Sequence, residues 1–216
     1  MPIFAAAIDE QLGEPPLTLH SALNTLPIHH SHPPHFPKDS MEPRADIPVF
    51  LDFEGVLRPA HTTAGLTQAR HLVAPLRHAE SLGLRPLLVI SSTHRLDYHV
   101  EQLSQILESH AKGLGRFVAG STPYAGRMRM ADEDHEFYAL APRLFETRAW
   151  IASRPQPFPA WIAIDDNENI YQHPEMPLPP ELLLCDGRHG FTPADADQLA
   201  SRFDRIAAQL DKRPAP

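Results

Sequence analysis

Cysteine is almost missing from this chain: Cys185 stands alone among 216 residues. One cysteine excludes an internal disulfide and a cysteine-built zinc site. Long apolar runs are missing too, and none approaches the roughly 20 residues that a membrane-spanning helix needs. The opening Met1-Pro2-Ile3-Phe4 lacks the basic segment and apolar stretch of a secretory signal, so a cytoplasmic protein is the expectation. Basic charge is also scarce, with 19 Lys and Arg against 27 Asp and Glu, a formal net charge of -8 and a pI near 5.9. That balance disfavours broad electrostatic binding to nucleic acid, which stays compatible as a partner but not a favoured one. A small phosphorylated substrate needs only a few local cations and a metal. There is no internal repeat, and the sequence leaves the oligomeric state open.

What is present suffices for one core, since 42% of the residues are hydrophobic. Residues 1–45 differ in kind from the rest. His29-His30-Ser31-His32-Pro33-Pro34-His35-Phe36-Pro37 cannot build a regular helix or central strand, because proline removes donors and restricts its neighbours. This segment reads as a disordered Pro/His-rich leader, with a short helix expected between Ile8 and Leu26. Its histidines have no fixed ligand geometry, so metal binding there would be opportunistic.

From residue 46 to 213 the pattern is one α/β domain. Strands are expected at Val49–Asp52, Pro86–Ser91, Arg116–Ala119, Trp161–Asp165 and Leu182–Cys185. Leu66, Ala69, Leu72, Val73, Leu76 and Ala79 recur at helical spacing, with Pro75 predicting a kink or two shorter helices. Further helices are expected over Leu96–Ala111 and Pro142–Ala152. The last begins where Thr192 caps, Pro193 suits the first turn and Asp195 completes a variant capping box. Residues 120–139 read as a flap. Strands alternating with helices call for a parallel sheet covered on both faces.

In such a sheet, ligands bind beyond the carboxyl ends of the strands. Strand one ends in Asp52-Phe53-Glu54-Gly55, where glycine permits a tight turn beside two acids. Strand two ends in Ser91-Ser92-Thr93-His94-Arg95, and strand four in Asp165-Asp166. Acids, hydroxyls and a guanidinium therefore meet at one rim. Acid–acid–glycine at a strand end suits a hard cation and nucleophilic or acid–base chemistry. The remaining histidines show no metal-ligand spacing and read as surface or packed residues. Cys185 ends an apolar strand and is expected to be buried, while Trp150 and Trp161 are expected in the core.

These strand ends resemble the motifs of the haloacid dehalogenase-like (HAD) superfamily of phosphohydrolases. Asp52-Phe53-Glu54-Gly55-Val56 matches its first motif, Leu88-Val89-Ile90-Ser91 its second, and Ile162-Ala163-Ile164-Asp165-Asp166 its fourth. Ser91-Ser92-Thr93-His94-Arg95 and the later Asp186-Gly187-Arg188-His189-Gly190-Phe191-Thr192 resemble a small bacterial HAD group. That group is related to HAD domains of predicted RNA-repair proteins. The resemblance implies a three-layer Rossmann-like HAD fold with at most a small cap or flap.

It further implies a magnesium-dependent phosphohydrolase working through an aspartyl-phosphate on a phosphomonoester. Asp52 would be the nucleophile and Ser91 would bind the phosphoryl group, with Ser92 as alternative. Magnesium would be held by Asp52, the backbone carbonyl of Glu54, and Asp166 with Asp165. Arg143, or its rival Lys112, would supply the catalytic cation, and Arg95 would grip substrate or pair with an acid. Glu54 stands where the family's phosphatases usually carry the Asp that serves as general acid and base. That departure supports a second reading, a HAD-like module that binds a phosphorylated ligand or a partner protein without turnover.

Overall fold

The structure, a computed structural model, describes residues 45–124, 138, 140–155 and 157–212. The leader expectation, apart from residue 45, and most of the expected flap lie outside those residues. Five parallel strands form the sheet: β1 (Ala45–Leu51), β2 (Leu84–Ile90), β3 (Val118–Ser121), β4 (Ile162–Asp165) and β5 (Leu182–Leu184). Their spatial order is β3-β2-β1-β4-β5, which puts β1 in the centre. β1 pairs with β2 along its whole length but with β4 only from Val49 onward, just past Pro48. A proline cannot donate to a ladder, so it falls where that pairing has not begun.

Side chains alternate between two apolar layers, as the pleat requires. Val49 and Leu51 face a core built with helices α1 (Val73–Ser81), α2 (Val100–His110) and α4 (Pro193–Asp211). Phe50, Val89 and Ala163 face the other way, against Leu144 and Trp150 of α3 (Pro142–Ala152) and Tyr171. Phe50 meets Trp150 edge-on at 5.5 Å and Trp161 at 5.9 Å between centroids. Such pairs add roughly 0.5–1.5 kcal/mol beyond area burial. The result is the expected three-layer arrangement.

Several boundaries shift for local reasons. The first helical region is divided as Pro75 predicts: a 3-10 turn, Ala69–Leu72, runs into α1. Pro75 lies in the first turn of α1, where its missing N–H would have had no intrahelical partner. The expected helix from Leu96 starts instead at Val100, because His99 and Gln102 form a capping box there. Residues Thr93–Leu96 make a separate 3-10 turn on which the Ser92 side chain accepts from the His94 N–H. The cap of α4 is as read: Thr192 accepts from the Asp195 N–H, and Asp195 accepts from the Thr192 N–H at 2.8 Å.

Candidate active site at the strand ends

Ladder hydrogen bonds continue one residue past the strands and align the side chains that follow. The Asp52 N–H donates to Ile164 at 3.1 Å, Ser91 to Leu51 at 2.9 Å, and Cys185 to Asp165 at 2.9 Å. Asp52, Ser91 and Asp165 thus sit side by side on three adjacent strands, and all three are buried. Gly55 turns the chain away from β1 with φ +66°, a conformation glycine adopts without penalty. A Cβ on Gly55 would lie 2.0 Å from Asp166 Oδ2, and one on Gly187 would lie 2.4 Å from the same atom. Two glycines therefore make the cradle that Asp166 occupies. The role of Gly187 is invisible in spacing, because it comes from a loop 21 residues further along the chain.

Arg143 enters from the second residue of α3. Its Nη2 lies 3.4 Å from Asp52 Oδ1 and its Nη1 lies 3.5 Å from Glu146 Oε2. Lys112, the rival cation, is exposed just past the end of α2. A crossover helix returns toward the amino ends of parallel strands, so that position points away from the rim. Of the two candidate cations, Arg143 is the one that reaches Asp52. The Arg95 side chain is almost wholly covered and does not face open space. Its Nη2 donates to Glu146 at 2.6 Å, and its Nη1 donates to the carbonyls of Ser91 and Ser92 at 2.6 and 2.8 Å. Of the two roles left open for Arg95, pairing with an acid is the one its geometry displays.

Glu146 was missed by sequence reasoning. It lies three residues after Arg143 on a helix whose face from Arg143 to Thr147 is buried throughout. An acid buried at helical spacing from a functional cation was the available clue. Glu54, in contrast, does not join the acidic cluster. Its carboxylate pairs with Arg58 one turn on, Nε to Oε2 at 2.9 Å. The two acids of the first motif diverge, and Asp52 alone lies in the site. His94 packs over Phe53 with centroids 5.2 Å apart and places Nδ1 3.1 Å from Ser92 Oγ. Cys185 is buried, and that burial pushes its thiol well above the usual range.

Asp52, Asp165 and Asp166 each offer a carboxylate oxygen within 4.8 Å of the others. Burial raises Asp52 above the ordinary carboxylate range, with Arg143 opposing the rise. Burial also pushes Asp165 up to about 8, aided by the nearby Asp52 carboxylate. Burial raises Asp166 as well, although it is more exposed than the other two. Among the described residues, and counting Glu146, four carboxylates meet two guanidiniums, an excess of two negative charges when all are ionised. Asp165 Oδ1 accepts from the Asn167 N–H at 3.1 Å, yet its buried Oδ2 has no hydrogen-bond partner among the described residues. Ser91 Oγ is likewise buried without one.

A divalent cation fits this donor set. Hard oxygen ligands suit magnesium, whose opposite ligands stand about 4.2 Å apart in an octahedron. The clustered oxygens are on that scale, and the charge excess and orphaned Oδ2 are what a cation would offset. The candidate ligands are Asp52, Asp165 and Asp166.

No curated protein and no solved structure matches the chain significantly. A family model described as the HAD domain in Swiss Army Knife RNA repair proteins matches residues 48–196, which covers every residue of the site. Among the described residues no helix is long and apolar enough to cross a membrane. With the five-stranded parallel sheet and the acids at its centre, the chain belongs to that family of HAD domains.

Proposed function

We propose that this domain is a magnesium-dependent phosphohydrolase that cleaves phosphomonoesters with Asp52 as nucleophile. The observation that carries the reading is a buried carboxylate at the end of the central strand, with Arg143 at 3.4 Å and two further acids around it. An Asp52 oxygen attacks phosphorus, the bond to the ester oxygen breaks, and the leaving oxygen departs as an alcohol after taking a proton. Water then attacks the aspartyl-phosphate, releasing inorganic phosphate and the free carboxylate. Two easier steps replace one hard one. Arg143 offsets charge on nucleophile and phosphoryl group together, and the Ser91 hydroxyl, which has no hydrogen-bond partner among the described residues, donates to a phosphoryl oxygen. Bound magnesium would neutralise the approach of carboxylate to phosphate.

Glu54, two positions after Asp52, is the candidate proton donor to the leaving group, although its carboxylate stands outside the acidic cluster. Its carboxylate is half-exposed and held by Arg58, so acid–base work requires it to leave that pair. This contact is also what favours the second reading, a module that binds a phosphorylated ligand without turnover. A cytoplasmic setting suits either reading.

The test is release of phosphate with magnesium from a panel of phosphomonoesters and an RNA oligonucleotide with a terminal phosphate. The RNA arm answers the name of the family, whereas the net charge of -8 favours a small substrate. Hydrolysis lost in Asp52→Asn is the expected result. Magnesium binding without hydrolysis of any substrate supports the binding module, and unchanged activity in Asp52→Asn sinks the assignment.

A further inference from the structure

The ion pairs behind the site form a chain that runs from one catalytic element to another. Arg95 holds the carbonyls of Ser91 and Ser92, the two residues that follow β2. The same guanidinium donates to Glu146, and the Glu146 oxygen that accepts it also faces Arg143 Nη1. Arg143 in turn presents Nη2 to Asp52. Arg95 and Glu146 each expose only 4% of their side chains, so neither is placed to meet bulk solvent. Burying ionised groups is costly unless geometry and hydrogen bonds return the loss. A hydrophobic pair would serve packing as well, and would fix no guanidinium.

Resting on the phosphohydrolase reading, we infer that Glu146 is a positioning residue that ties the phosphoryl-binding end of β2 to the cation on α3. One carboxylate oxygen sets the separation of two guanidiniums that would otherwise repel. Arg95, anchored to backbone carbonyls, fixes where that oxygen stands. The oxygen then fixes which way the Arg143 fork opens, toward Asp52. Serine hydroxyl and arginine fork are thereby held at one spacing, the one a transferring phosphoryl group must bridge. An arginine fork delivers directional hydrogen bonds, so its orientation matters more than a lysine's would.

The experiment compares wild type with Glu146→Gln and Glu146→Asp in the full chain loaded with magnesium. Arg95→Lys is added because it keeps the charge, loses the fork, and guards against a misfolded Glu146 variant. Two readouts are taken: steady-state kinetics on the best phosphomonoester, and the Nε–Hε NMR signals of arginines labelled with nitrogen-15. Glu146→Gln and Arg95→Lys are expected to lower kcat by about 10-fold to 100-fold with KM within about threefold, since the interaction concerns alignment in the transition state. In Glu146→Gln the Arg95 and Arg143 signals should move toward those of free arginine and exchange faster with solvent. Glu146→Asp should restore part of both. Unmoved arginine signals in folded Glu146→Gln, a kcat equal to wild type, or a change in KM alone would overturn the inference. If wild type hydrolyses nothing, the phosphohydrolase reading fails separately, and the arginine signals decide whether Glu146 orients Arg143.

Discussion

Alanine at Gly187 should disable the site while sparing the fold. A Cβ there would stand 2.4 Å from Asp166 Oδ2, whereas ordinary contact begins at 3.4 Å. The carboxylate must therefore retreat by about 1 Å, a displacement that can cost about 100-fold in rate, or about 2.7 kcal/mol of transition-state stabilisation. The backbone itself has no objection, because Gly187 is not among the glycines with positive φ. Gly→Ala at a compatible position stabilises by about 0.4–1 kcal/mol through the unfolded chain, so Tm should hold or rise. Gly55→Ala supplies the contrast. Its Cβ would lie 2.0 Å from the same oxygen, and its φ of +66° adds strain of roughly 1–2 kcal/mol, so both activity and Tm should fall. The assay pairs magnesium titration by calorimetry with phosphate release and thermal melts. Adding Gly187→Ala to Asp166→Ala should change nothing further, since the group that clashes has already gone. Wild-type magnesium affinity and rate in Gly187→Ala would refute the cradle. So would a full extra loss in the double variant.

Three further outcomes are expected. In chelator, the folded protein holds protons on Asp52 and Asp165 that the unfolded chain releases, because both groups are raised above 3.8. Stability should thus be greatest at low pH in that window and fall as pH rises from about 4 toward 8, by up to about 1.4 kcal/mol per pH unit for each proton. Magnesium should flatten that slope, and melts in chelator that are independent of pH between 5 and 8 would contradict the argument. Glu54→Gln should lower kcat by about 100-fold while Arg58→Ala, by freeing the carboxylate, raises it; an unaffected Glu54→Gln places the proton donor elsewhere. Thr192→Ala should cost about 1 kcal/mol in urea melts by removing the cap of α4, with activity unchanged, and a loss under about 0.3 kcal/mol would show the cap to be idle.

The strands and the rim were legible because their cues are local. Apolar runs ending in Asp52, Ser91 and Asp165 announce a parallel sheet with chemistry at one edge, and α4 carried its own start in Thr192-Pro193. Arg143 and Lys112 stood as rival cations in the sequence, and only the contact of Arg143 with Asp52 separates them. The divergence of Asp52 and Glu54 was not, since Arg58 competes for Glu54 and spacing alone does not weigh a neighbour's charge. Glu146 and Gly187 stayed hidden for a different reason. Each works through a partner distant in sequence: Arg95 lies 51 positions from Glu146, and Asp166 meets a glycine from the loop after β5. Contacts between distant segments leave no periodic trace, and the i, i+3 spacing of Glu146 from Arg143 does not reveal Arg95 as its other partner.

β4 is only four residues long, yet its alignment decides the chemistry. Successive residues on a strand point to opposite faces, so a slip of one position exchanges every side chain. Sliding β4 by one would bring Ile164 to the place of Asp165 and set a methyl group where the buried acid stands. β1 holds β4 on one side through Val49, Phe50 and Leu51, and β5 holds it on the other through Leu182, Leu183 and Leu184. The three-residue edge strand thus acts as a register lock. Weakening β5 would yield protein that still looks folded by its helices but is divided between competent and incompetent molecules. In such a preparation magnesium would bind to fewer than one site per chain, with the competent fraction keeping its full affinity.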